Sequence, residues 1–276
     1  NGKFTGIFII IFYWIATIIA FGGTKILSKV TSWGFVVGTI LPGLVVIILG
    51  VVWFLMKKPL GFEHLTAAET AVAEVSKGVV SPRWFPDLTK LSNLSFLSGI
   101  ILLFAGVEVQ AVHAGEMENP KKQYPTAIFI SAIIVFALFT FGSLAIAAVV
   151  PNSQLQIESG LMQAISIMVT SVNMKWALYI LAFCVAFGSL AGVLSWISGP
   201  SKGLLSTAKD NLLPESLAQT TKSGAPKNMM LVQGFIVTIL ACLYFVMKDV
   251  SVAFFLLSAL TVSVYIIMYI LMYLAA

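Results

Sequence analysis

Charge is what this sequence of 276 residues has least of: Asp, Glu, Lys and Arg make up 10% of it, against roughly 25% in a soluble domain. With 59% of its residues apolar, the chain cannot cover itself with a water-compatible surface, which excludes a soluble protein and leaves an integral membrane protein. Cysteine is equally scarce. Cys184 and Cys242 both lie in apolar segments with no Cys-rich spacing, so neither a disulfide framework nor a metal site is expected. Enzyme signatures are missing too. There is no nucleotide-binding glycine loop, no HExxH and no nucleophile elbow, and Ser195 and Ser198 beside Gly199 read as a helix end. No cofactor, no metal and no catalytic residue are expected. A ring-forming filter sequence is also lacking, which argues against a channel. The net charge of +5 comes from scattered basic residues rather than a cluster interleaved with aromatics. That pattern excludes a nucleic-acid partner and fits a cytoplasmic excess of Lys and Arg. No signal peptide is visible, and a chain that begins at Asn1 and ends MYLAA reads as a piece of a longer membrane protein.

What the chain has in abundance is long apolar runs. A spanning helix needs about 20 predominantly apolar residues. Seven runs qualify, over roughly 4–23, 33–56, 94–114, 125–150, 174–198, 229–247 and 251–275. None alternates over about ten residues as a barrel strand would, so the expected class is an all-α bundle. The first connection carries Lys25 and Lys29, the third Lys121 and Lys122, the fifth Lys202, Lys209, Lys222 and Lys227, whereas residues 151–172 carry no Lys or Arg. The positive-inside rule then puts those three basic connections in the cytoplasm, the N-terminus outside and the C-terminus inside. Within the connections, residues 66–77 have helix-favouring composition, and residues 157–171 suit an interfacial or re-entrant helix better than a span.

One run carries residues that lipid should reject. Residues 103–110 read LFAGVEVQ, and an acid at mid-bilayer costs about 3 kcal/mol on insertion scales. Gly106 weakens the helix just before Glu108. An unwound turn there exposes backbone N–H groups at one half-helix start and carbonyls at the other half-helix end, a pairing suited to the carboxylate and ammonium of an α-amino acid. Glu108 then has three functional uses: to neutralise a cation, to carry a proton, or to lock the turn through backbone hydrogen bonds. A purely structural bond to neighbouring helices is the alternative. Gln110, His113 and Glu116 follow at spacing three, on one face of a continued helix, lining a vestibule or simply emerging into water. His113 is a candidate for gating linked to protons.

The segment GVE, followed by HAGEMENPKKQYPTAI and SWISGPSKGLLSTAKDNLLP…SGAPKN, resembles the amino acid–polyamine–organocation (APC) transporter superfamily. Within it, the ordered set FGGTK, WFPDLTK, GVExxxxHxxEMxNP and GPSKGLxxTAxxNLLP is similar to the bacterial glutamate/γ-aminobutyrate antiporter group. The resemblance implies a LeuT-like core of two inverted five-helix repeats, with the seven spans here matching family helices 4 to 10. On that register residues 1–56 end the first repeat, 57–93 form an external loop, and 94–276 hold the second repeat with its broken helix near 104–108. Site residues carried over by the resemblance are Phe104, Ala105, Gly106, Val107 and Glu108 in the broken turn, Trp196 in LAGVLSW, and Tyr265 and Tyr269 in VYIIMY. For Trp196 an interface anchor, and for the tyrosines simple packing, are the plain alternatives. One departure stands out: Gly192 occupies the position, four residues before the tryptophan, where the glutamate-type pattern has a carboxylate.

The expectation is therefore a multi-pass protein of the bacterial inner membrane that exchanges one amino acid for another, glutamate for γ-aminobutyrate or a similar pair, by alternating access. Its partners would be a small amino acid and the lipid bilayer. A proton- or sodium-coupled symporter of the same fold, or a receptor that transports nothing, are the alternatives.

Overall fold

The computed structural model describes residues 2–61, 100, 103–106, 108–151, 154–156, 159–247 and 249–275. Among them there is no strand. Among the described residues, six helices are long and apolar enough to cross a membrane: Gly2–Ala20, Lys25–Leu55, Pro120–Val149, Ala177–Lys209, Lys227–Val246 and Val250–Ala275. Their outward faces are apolar, with Phe4, Phe54, Phe183 and Phe235 each more than 60% exposed. Bulky apolar side chains left open on so many faces are what lipid, rather than water, requires. The all-α class expected from the sequence holds.

Differences from the expected boundaries have local causes. The third long helix starts at Pro120 rather than near 125, because a proline at the first helical position gives up only an N–H that would be unpaired anyway. The helix from Ala177 runs on through Pro200 to Lys209, where a span ending near 198 and a loop from 199 were expected. Asn211, at φ 59°, then ends it. The third expected run, 94–114, lies outside the described residues at 94–99, 101, 102 and 107. Its described part holds a turn at residues 104–106 and a 3₁₀-helix, Glu108–Glu116, in place of a continued α-helix. The helix expected over 66–77 also lies outside the described residues. Within 157–171 the chain forms Gly160–Ser171, whose 12 residues reach only about 18 Å, short of the roughly 30 Å hydrocarbon layer.

Two compact units divide the chain. One comprises Ile40–Leu103 and Ala132–Phe183. Its core is built from Val46, Trp53, Ala145, Ile165, Met168 and neighbours, with Ala164 and Ile165 of the short helix wholly buried. The Trp53 indole donates to the Pro59 carbonyl at 3.1 Å, and Lys58 lies over its ring. Among the described residues, no charged side chain belongs to that core.

The other unit comprises Asn1–Thr39, Phe104–Ser131 and Cys184–Ala276. Ala16, Ala20, Leu27, Leu194, Ile197 and Met230 form its core. The Trp14 indole donates to the Thr238 hydroxyl at 3.0 Å, tying Gly2–Ala20 to Lys227–Ala241. Where the helix around Gly38 crosses the one around Gly188, the two backbones touch: a Cβ built on either glycine would run into the other's main chain. The chain locally widens into a π-helix there, Val36–Ile40. All of the candidate site lies in this unit.

Candidate functional site

The turn at residues 104–106 interrupts an apolar stretch, and Gly106 makes it possible. Its φ of 102° lies in the left-handed region that side-chain-bearing residues rarely adopt. A Cβ at this position would also stand 3.0 Å from the Trp196 ring. Two residues later the chain enters the 3₁₀-helix Glu108–Glu116, nine residues long where such runs usually last three or four.

Glu108 turns back on the break. The Gly106 N–H donates to both of its carboxylate oxygens, at 3.1 Å each, closing a ring from residue 108 to residue 106. The Tyr265 and Tyr269 side chains also lie close to the same carboxylate. A carboxylate withdrawn from water is tolerated when its lone pairs are filled in this way. The bond from the Gly106 N–H is the contact that the turn-locking use of Glu108 requires.

Aromatic rings complete the wall. Trp196 meets Tyr265 edge to face at 5.9 Å, and Tyr265 meets Tyr269 at 5.5 Å and 67°, spacings that suit ring quadrupoles. Ala105, Gly106 and Trp196 also line a cavity of about 570 Å³, shared with Phe35, Tyr124 and Ser195. That volume falls within the range of small-molecule sites. A second cavity of about 110 Å³ shares Phe35 and Ser195 with the first and is otherwise lined by Thr31, Thr39, Gly188, Ala191 and Gly192. A Cβ on Gly192 would meet nothing within 4 Å, so the position that lacks the expected carboxylate opens onto free space.

The structure thus gathers Ala105, Gly106, Glu108, Trp196, Tyr265 and Tyr269 in one place. Phe104 sits in the turn but is 40% exposed. Val107 lies outside the described residues. His113 stands apart from this cluster, towards the end of the 3₁₀-helix, where its Nδ1 lies 3.1 Å from the Lys202 ammonium. Because an ammonium only donates, Nδ1 is the acceptor in that pair.

Sequence reasoning missed Lys202, Gln233 and the hydroxyl-lined cavity. Gln233 carried a signal: it is the one amide within the apolar helix Lys227–Ala241 after its first turn, and amides in spans usually have a partner.

The amino acid permease family matches residues 1–276. An uncharacterized transporter of Legionella pneumophila is 36% identical over 264 residues, covering 96% of this chain and 53% of that protein. A glutamate/gamma-aminobutyrate antiporter of Lactococcus lactis is 31% identical over 268 residues, covering 96% and 50%. A probable agmatine/putrescine antiporter of Lactococcus lactis is 34% identical over 121 residues, 44% of this chain and 26% of that protein. The chain spans about half the length of the first two relatives. Its apolar helices and bacterial relatives make it a multi-pass protein of the bacterial inner membrane, and neither the family nor these relatives are enzymes. Matched along its whole length, the chain belongs to the amino acid permease family.

Proposed function

We propose that the full protein of which this chain forms part is an amino acid antiporter working by alternating access, exchanging glutamate for γ-aminobutyrate or a similar pair. The observation that carries this reading is the broken turn at Gly106, sealed by Glu108 and walled by Trp196 and Tyr265 beside a ligand-sized cavity. Because Glu108 occupies the Gly106 N–H, the carbonyls of Ala105 and Gly106 are offered to a substrate ammonium. Phe104, Trp196, Tyr265 and Tyr269 shape the pocket and its gates. Glu108 couples the turn to gating, with His113 and its Lys202 neighbour at the far end of the 3₁₀-helix as a second polar point. In the same reading the seven spans correspond to family helices 4 to 10, with residues 94–276 as the second repeat and 57–93 as an external loop. Gly192 and the uncharged small cavity favour a side chain smaller or less cationic than one met by a carboxylate at that position.

The test uses the full-length protein in liposomes loaded with γ-aminobutyrate, following labelled glutamate uptake against a panel of competing amino acids, with and without sodium. Uptake that requires internal γ-aminobutyrate and ignores sodium is the expected result. Exchange of a different amino acid pair would move the specificity to Gly192 and its cavity while keeping the antiporter. Uptake without any internal amino acid, driven by sodium or protons, would replace antiport by symport.

A further inference from the structure

In an α-helix the carbonyl of residue i accepts the N–H of residue i+4. For Trp196 that partner is Pro200, which has no N–H, yet the helix Ala177–Lys209 continues through it. Such a carbonyl, in a membrane helix, must find another donor or remain unsatisfied where water is scarce. The donor comes from a different helix: Gln233 Nε2 donates to the Trp196 carbonyl at 3.1 Å. The other end of the same amide accepts the Ser201 hydroxyl at 3.0 Å, and Ser201 is buried, at 2% exposure. Since a carbonyl only accepts, the NH₂ end must face Trp196, and both partners fix the amide in one orientation.

We propose that Gln233 is a positioning residue for the substrate site: its side-chain amide replaces the backbone N–H that Pro200 cannot supply, and so sets where the Trp196 ring stands. Gln233 is not among the described residues that line the cavity; it acts through Trp196. That ring lies 3.0 Å from where a Gly106 Cβ would be and edge-on to Tyr265. A shift of the Trp196 carbonyl therefore carries into the ring contacts that bound the broken turn. The bond replacement stands on geometry alone, whereas its effect on transport rests on the exchange reading above.

The test compares four forms of the full-length protein: wild type, Gln233→Leu, Pro200→Ala and the double variant. Pro200→Ala returns the missing backbone donor, so it should make Gln233 dispensable. Two readouts are needed. The first is the ¹⁹F resonance of Trp196 in 5-fluorotryptophan-labelled protein, assigned by its disappearance in Trp196→Phe. The second is exchange kinetics in liposomes. Gln233→Leu should move the Trp196 resonance and raise KM on the order of tenfold, the scale of one hydrogen bond, with little change in the maximal rate. Both should return to near wild type in the double variant. A wild-type resonance and KM in Gln233→Leu, or a double variant as impaired as Gln233→Leu, would overturn the proposal. Should Gln233→Leu fail to fold, a folded double variant supports it, and failure of both variants overturns it. If the wild type exchanges no amino acid, the antiporter reading falls and the ¹⁹F comparison still decides the role of Gln233.

Discussion

Two helix interruptions in the same unit solve the same problem differently. At Gly106 the helix is abandoned: the backbone turns through a left-handed φ, and the exposed N–H is satisfied by Glu108 from two residues away. At Pro200 the helix is kept: one backbone donor is missing, and a side chain from another helix, Gln233, supplies the replacement. The first break is local and carries a charge. The second is tertiary and neutral. A turn held by its own neighbour retains its hydrogen bonds while the rest of the helix moves, whereas a bond across helices ties two elements together. The Gly106 break is thus suited to contact a changing ligand, and the Pro200 break to hold Trp196 still beside it.

The largest expected effect comes from removing the acid that seals the first break. Glu108→Leu leaves the Gly106 N–H without its acceptor, at about 1–3 kcal/mol for the group left unpaired, and removes the charge beside Tyr265 and Tyr269. Exchange should vanish and thermal stability should drop, both measurable on the reconstituted full-length protein. Glu108→Gln keeps one carbonyl acceptor and should lie between Leu and wild type in stability; equal loss in both variants would mean that the charge, not the hydrogen bonding, holds the turn. Next in size is Gly106→Ala, which strains the left-handed backbone by about 1–3 kcal/mol and pushes a methyl group against Trp196. Its expected signature is loss of exchange with an altered Trp196 environment, and a fully active variant would show that the turn does not need its observed conformation. Tyr265→Phe keeps the ring against Trp196 but deletes one hydroxyl, so a cost of about 1 kcal/mol and a several-fold loss in apparent affinity are expected. The smallest effect sharpens the contrast with Pro200. Pro125 also lies inside a helix, but the residue four positions earlier, Lys121, is exposed and its carbonyl can turn to water. Pro125→Ala should therefore change stability by no more than about 0.5 kcal/mol and need no partner substitution.

The long helices were legible because their apolar runs exceed the length a bilayer demands, and the break was legible because Gly106 and Glu108 are costly where they stand. Trp196, Tyr265 and Tyr269 were visible only through resemblance: an aromatic in a span looks the same whether it packs or lines a site. Periodicity also put an α-helix through residues 108–116, where the chain forms a 3₁₀-helix, since residues three apart share a face in both geometries. The run through Pro200 was hidden for a different reason. Proline reads as a stop, and only the fold brings Gln233, thirty-seven positions after Trp196, to the orphaned carbonyl. The same holds for His113 and Lys202, whose pairing spans eighty-nine positions.

The contact between Gly38 and Gly188 has a consequence for how this sequence can drift. Most packed positions tolerate change because a larger residue on one side can be offset by a smaller one on the other. Here neither partner has a side chain to surrender, and the backbones already touch. Any mutation at either position adds atoms with no compensating deletion available across the crossing. The two glycines should therefore not vary at all, singly or as a pair: among sequences that keep this crossing, both positions are expected to stay glycine while the apolar residues around them exchange freely.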